Sequence, residues 1–432
     1  MGRSAGPDRA AARRFTRKTG MPTSPALNLT RLGWGLALPV LLLGAIGLAC
    51  IHATERGPVT GHAELPQVAG FAETNWLERI YEVAGPLTIR QALYFVTGIG
   101  LMLVVLRPSY QKLGRYAYPA YAVTLVLLIL LAVDRYVDLP LIPVRNGVRR
   151  WINLGPLSLQ PSEFMKLVLV LTLARYLRFR NSYRRLRGLL IPFVLTLGPM
   201  VLILRQPDLG TTLMLLPVLF IMLFVAGARL RHLTLVIGLG CATLPAFYFY
   251  GMKDYQRERI QILFKQNVDD PRWQMGPGYQ LRQSKIALGS GGLWGQGWGK
   301  GVFIESPSSL LPEEKNDFIF AIVGHQWGLV GCVLVILAYT LIVLLGIEVA
   351  MLTNDPFGRL LAVGVIVMIV VQALLNISMT IGLAPITGMT LPFVSAGGSS
   401  LWANFLGLGL LLNVAQRRPM LIAHPPFEHK DE

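Results

Sequence analysis

Five stretches of this chain carry residue types that could do chemistry. Asp317, in Asn316-Asp317-Phe318-Ile319-Phe320, stands where a charged loop enters an apolar run. Partial burial there would raise its pKa toward that of a useful general base, although an Asp at that place equally suits a helix cap. Earlier in the same stretch, Gln283-Ser284-Lys285 leads into a glycine-rich run at 289–299. That run has no strand before it and no Gly-Lys-Ser/Thr ending, so it does not read as a nucleotide loop. Arg149-Arg150-Trp151, with Arg145 just before, sets guanidinium groups beside an indole. Arg binds phosphate oxygens bidentately, and the plainer alternative is an interfacial anchor. Glu163 and Lys166 follow Gln160-Pro161-Ser162 and are three apart, so they share a helix face just inside an apolar span. They form either an ion pair or the wall of a polar site. Gln206-Pro207-Asp208-Leu209-Gly210-Thr211 splits an apolar stretch in two, and Asp208 either caps the next helix or joins a site. The last stretch, 383–400, is broken by Pro and Gly and ends Ser395-Ala396-Gly397-Gly398-Ser399.

The elements that must position these residues are written in the composition. Of 432 residues, 53% are hydrophobic and only 15% charged, with a mean hydropathy of +0.52. A soluble domain carries about 25% charged residues, so a soluble globular protein is excluded. Disorder, collagen and a disulfide scaffold with three cysteines are excluded too. Apolar spans near 34–52, 86–106, 117–133, 159–177, 189–204, 212–227, 233–251, 318–347, 360–382 and 399–415 predict an all-α, polytopic integral membrane protein with ten transmembrane helices. An even number puts both termini on one side. The segments on that side hold 22 of the 40 basic residues and 6 of the 23 acidic ones, which makes it cytoplasmic. The net charge of +17 is therefore a topology signal, and nucleic acid is not expected as a partner.

Residues 1–30 read as a disordered basic cytoplasmic tail, 31–418 as the ten-helix membrane domain and 419–432 as a cytoplasmic C-terminal tail. The first span is too long for a secretory h-region and reads as a retained anchor. The loop 253–317, between spans seven and eight, is too long for a connector and lies outside. Within it Tyr255–Ile260 reads as an amphipathic interfacial helix. Cys50, Cys241 and Cys332 lie in apolar spans and read as buried small hydrophobes. No internal repeat is visible, which weakens an inverted-repeat transporter. All five chemical stretches fall on the outer side in this topology.

Taken in order, Arg150-Trp151, Gln160-Pro161-Ser162-Glu163, Gln206 through Thr211, Gln283-Ser284-Lys285-Ile286-Ala287, Asp317 through Phe320 and Pro392 through Ser399 resemble the SEDS family (shape, elongation, division, sporulation) over roughly 85–418. The stretch 284–292 is more similar to the elongation member RodA than to the division member FtsW. The resemblance implies a peptidoglycan glycosyltransferase that polymerises lipid II into β-1,4-linked strands at the outer face of the bacterial cytoplasmic membrane, for elongation and shape or for division. It implies a class B penicillin-binding protein transpeptidase as partner, and Asp317 as the catalytic residue. Arg150 with Lys166 is then expected to stabilise the departing undecaprenyl pyrophosphate. Trp151, Glu163, Gln206, Asp208, Thr211, Gln283, Ser284, Lys285, Ser395, Gly397, Gly398 and Ser399 are expected around the substrate. No cofactor is required by the sequence; a divalent cation, Mg or Mn, could assist, and no metal ligands stand out. Three features depart from the family pattern: His325-Gln326 where two consecutive acids are usual, Ala396 where an aromatic is frequent, and a long acidic first outer loop near 54–85. A lipid II flippase and a non-catalytic scaffold are the rival readings.

Overall fold

The computed structural model describes residues 34–56, 84–137, 142–144, 148–155, 157–179, 185–266, 276, 278–305, 310–311 and 313–417. Both expected tails, Arg145 and most of the acidic first loop lie outside the described residues. The chain runs α1 (Trp34–Arg56), α2 (Pro86–Leu106), α3 (Tyr110–Arg115), α4 (Ala117–Val137), a hairpin of β1 (Ile152–Leu154) and β2 (Leu157–Leu159), then α5 (Pro161–Arg178). It continues with α6 (Leu190–Arg205), α7 (Leu209–Ala226), α8 (Leu230–Ala246), α9 (Asp254–Phe264), α10 (Tyr279–Ser290), α11 (Val302–Glu305), α12 (Ile319–Met351), α13 (Pro356–Ile381) and α14 (Gly398–Gln416).

The ten long helices fall on the ten predicted spans. Nine of them are long and apolar enough to cross a membrane. The tenth, α5, has 18 residues but carries Glu163, Lys166, Arg175 and Arg178. Those charges are tolerable because α5 is walled by protein, packing on α4, α7, α13 and α14. Its start follows from Pro161, whose missing N–H costs nothing at the first helical position. Asp208 starts α7 by accepting a hydrogen bond from the Thr211 amide at 3.1 Å, as a capping Asp should.

The bundle is unevenly packed. In α14, 78% of the most apolar window is buried inside the protein, against 6% in α8. Small residues let the central helices approach closely: a Cβ at Gly98 of α2 would strike the Phe405 ring of α14. Cys50 and Cys332 are buried as expected, but Cys241 is exposed, because it rides on the outlying α8. Helix α12 breaks at Gly328 (φ 61°, ψ −155°), where a Cβ would strike the Leu293 carbonyl, so the glycine-rich run can lie against it.

Candidate functional site

The five stretches meet around a cavity of about 890 Å³. Its wall takes Arg150 and Trp151 from the segment before β1, Glu163 from the first turn of α5, and Asp208 and Thr211 from the start of α7. Asp317 comes from the turn before α12, and Gly397 and Ser399 from the start of α14.

Asp317 does not cap α12. The N-cap is Phe318, with no side-chain hydrogen bond to the helix start. Its backbone is instead fixed from below: Asn376 of α13 donates to the Asp317 carbonyl at 2.8 Å and to the Met389 carbonyl at 2.5 Å. The Ser395 hydroxyl donates to the Asn316 carbonyl at 2.5 Å, and the Ala396 amide to the Lys315 carbonyl at 2.9 Å. The carboxyl so held is pushed up to about 7 by burial and by Glu313 beside it, with Arg259 and Arg150 pulling it back down and Asp208 adding a smaller upward push. Gly388 (φ 72°) closes on the same carboxyl: a Cβ there would stand 3.4 Å from Asp317 Oδ2.

Arg150 is anchored to the turn between α6 and α7. Its Nε donates to the Gln206 carbonyl at 2.6 Å and one terminal nitrogen to the Pro207 carbonyl. These lie just past the C-terminus of α6, where the helix dipole favours a cation. Neighbouring Arg149 pairs with the fully buried Asp134 at 2.8 Å, which fixes the segment from the other side. Asp208 accepts from the Thr211 hydroxyl at 3.0 Å and from the Ser162 hydroxyl at 3.1 Å. Gln206 lies behind, donating to the Leu128 carbonyl at 3.2 Å. Ser399 ties α14 to the hairpin, accepting from the Gln160 amide at 3.0 Å and donating to the Ser158 carbonyl at 3.1 Å.

Several expected residues stay off the cavity surface. Lys166 is 1% exposed and is held by Glu163 at 2.8 Å and Gln372 at 2.9 Å, so Glu163 and Gln372 line the wall while Lys166 supports them. Gln283, Ser284 and Lys285 are not brought to it: Ser284 donates to the Thr380 carbonyl at 2.9 Å and Lys285 to Gln266 at 3.2 Å. One turn earlier, Gln280 does line it. Ser395 is buried beneath the floor, and Gly398 lies against the Tyr94 ring, where a Cβ would approach to 2.8 Å. Residues that the sequence reading missed include Arg259, Glu313, Asn316 and Gln372 in the wall and Asn376 behind it. For the last two a signal existed: two amides four apart inside an apolar span. Of the departures, Ala396 lines the cavity, whereas His325 is buried away from it with Ser290 at 2.7 Å from its Nδ1. Among the described residues no three His, Cys, Asp or Glu side chains converge to hold a metal ion.

Residues 72–419 match the family model described as "Cell cycle protein", that of FtsW, RodA and SpoVE. The chain is 36% identical to the probable peptidoglycan glycosyltransferase FtsW of Geobacter metallireducens, over 76% of this chain and 84% of that protein. It is 33% identical to the peptidoglycan glycosyltransferase MrdB of Escherichia coli, over 75% and 84% of the two chains. With stage V sporulation protein E of Bacillus subtilis the identity is 34%, over 88% and 96%. Among solved structures, it matches a chain of a peptidoglycan synthase complex with a TM-score of 0.70 and 29% identity, covering 90% of this chain and 98% of that one. It matches the rod shape determining protein RodA of Thermus thermophilus with a TM-score of 0.60 and 29% identity, covering 89% and 97%. The polytopic helical fold, the matched span and these identities together show that this chain belongs to the FtsW/RodA/SpoVE (SEDS) family of membrane proteins.

Proposed function

We propose that the cavity is a polymerisation site and that Asp317 is its general base. The chain is a peptidoglycan glycosyltransferase, and lipid II is its substrate in this reading. A donor carrying an α-linked pyrophosphate and yielding a β-1,4 product requires inversion at the sugar C1 in a single displacement. The acceptor's 4-hydroxyl gives its proton to a carboxylate oxygen of Asp317 while O4 bonds to the donor C1. The C1–O bond breaks, and the pyrophosphate leaves with the bonding electrons. A base with a pKa near the operating pH is the most effective, and such a base contributes typically 10²–10⁴-fold. The guanidinium of Arg150 meets the negative charge that grows on the leaving group. Lys166 acts one layer back, holding Glu163 and Gln372 in the wall.

The observation that carries this reading is the setting of Asp317: it leaves its helix uncapped and presents a carboxyl raised to about 7 to a cavity floored by four hydrogen bonds to its own segment and the facing loop. A structural Asp would spend its oxygens on the helix start. The flippase reading has less support, since relatives carry the name of a glycosyltransferase. A class B penicillin-binding protein as partner fits the likeness to a synthase complex, and the charge bias favours the bacterial inner membrane with both termini cytoplasmic. The test is polymerisation of labelled lipid II by purified protein. Wild type should build glycan chains and Asp317→Asn should not. A wild-type protein that moves lipid II between leaflets without building chains would favour the flippase.

A further inference from the structure

Helix α9 belongs to the long loop, yet it is bound to the cavity rather than lying apart from it. Gln256 and Ile262 are 5% exposed and face the protein with Arg259, while Phe264, on the other side, is 80% exposed. Arg257 ties the flank of α9 to the π-helical turn Phe247–Gly251 that follows α8, donating to the Tyr248 carbonyl at 2.9 Å and the Phe249 carbonyl at 2.7 Å. Gln266, just past the helix, donates to the Gly382 carbonyl at 2.8 Å. Arg259 itself lines the cavity, and its Nη1 donates to the Ile386 carbonyl at 2.9 Å. Two residues on, Gly388 lies against the Asp317 carboxyl. Arg259 thus enters the site beside Asp317, from an element different from that of Arg150.

We propose that Arg259 and Arg150 form a two-cation clamp on the two phosphates of the lipid-linked donor, with Arg259 delivered by the docking of α9. The inference rests on the polymerisation reading above and adds the chemistry that holds the leaving group. A pyrophosphate carries two anionic phosphates, and Arg150 has already spent its Nε and one terminal N–H on the Gln206 and Pro207 carbonyls, so a second guanidinium adds the donors and the charge that two phosphates call for. Arg259 meets the second phosphate and follows its charge as the C1–O bond breaks.

Three readouts separate a clamp from a merely structural arginine. Arg259→Gln should lower kcat by about 10²-fold, the usual loss for one donor aimed at developing charge. A polyprenyl pyrophosphate added as a product inhibitor should bind the variant at least about tenfold more weakly, the loss of one charge-assisted hydrogen bond. The pH profile should move as well. The groups facing Asp317 are Glu313 from its own segment, Arg259 from α9, Arg150 from the segment before β1, and Asp208 from the start of α7. Without Arg259 the two acids are opposed by Arg150 alone, so the rising limb of activity shifts to higher pH. If Arg259→Gln fails to insert, Arg259→Lys, which keeps a donor for the Ile386 carbonyl and a charge, decides the matter: it should retain part of the activity and part of the pyrophosphate affinity. Wild-type kcat and unchanged inhibition in either variant would overturn the clamp while Asp317→Asn stays inactive. An active Asp317→Asn would overturn the polymerisation reading itself and the clamp with it.

Discussion

Two buried polar networks tie this bundle together, and they are finished to different degrees. At one end of α14, Asn413 donates to the Val105 and Pro108 carbonyls at 2.7 Å each and accepts from the Tyr110 amide at 3.0 Å. Arg417 closes over it, donating to the Pro108 carbonyl at 2.6 Å and the Arg107 carbonyl at 3.0 Å. Every donor and acceptor named there is spent on the backbone of the turn between α2 and α3. At the opposite end of the same helix, Ser399, Gly397, Asp317, Glu163 and Arg150 surround 890 Å³ of open space. There Asn376 fixes two carbonyls with its amide nitrogen while its buried Oδ1 has no partner among the described residues. Buried polar groups are normally satisfied. A closed network holds helices together, and an open one leaves room for a ligand.

The contrast can be broken most forcefully at its closed end. Asn413→Ala would strip the Val105 carbonyl and the Tyr110 amide of their partner and leave the Pro108 carbonyl to Arg417 alone, at about 1–3 kcal/mol for each group left buried and unpaired. The melting temperature in detergent should fall sharply, while activity per folded molecule stays near that of wild type. At the open end Arg150→Ala should behave in the opposite sense: normal abundance and insertion, but polymerisation lower by about 10²-fold. Wild-type polymerisation would return Arg150 to interfacial anchoring. A smaller effect is expected from pH. With the Asp317 carboxyl raised to about 7 and needed as a carboxylate, the rate should rise as pH increases through about 7, and Asp317→Glu, if active, should shift that limb. A flat profile from pH 6 to 8 would remove Asp317 from the rate. The least disruptive test is topological. Single cysteines placed in 278–301 should react with an impermeant reagent in intact cells, and cysteines in 229–231 only after permeabilisation.

Much of the architecture was legible because a bilayer tolerates few alternatives. Ten apolar runs gave ten helices, and even α5, which fails a plain apolarity criterion, was readable from Pro161 and the apolar run after Lys166. Asp208 was readable as a cap, and proves to be both cap and cavity wall. What the chain did not disclose is direction. Glu163 and Lys166 share a helix face by spacing, but only the packing of α13, with Gln372 on that face, turns Lys166 inward and leaves Glu163 at the wall. Gln283, Ser284 and Lys285 looked like site residues because they are polar and adjacent. Gln283 and Ser284 share a helix face with Gln280 by spacing, but they lie one turn further along α10, where Ser284 is spent on the Thr380 carbonyl, and only Gln280 reaches the cavity. Arg259 stayed hidden because an amphipathic surface helix has the same composition whether it rests on lipid or on a cavity.

The central claim is that Asp317 serves the reaction and not the fold, and one paired measurement on purified Asp317→Asn tests it. Its folded-state pKa lies above the ordinary carboxylate value, so the folded protein holds that proton more tightly than the unfolded chain, and stability is lost as pH rises from about 4 through about 7. Removing the carboxylate should therefore leave the melting temperature at pH 8 equal to wild type or higher. Lipid II polymerisation at the same pH should fall by about 10²–10⁴-fold. Glycan yields comparable to wild type, or a loss of activity matched by a loss of melting temperature, would contradict the account.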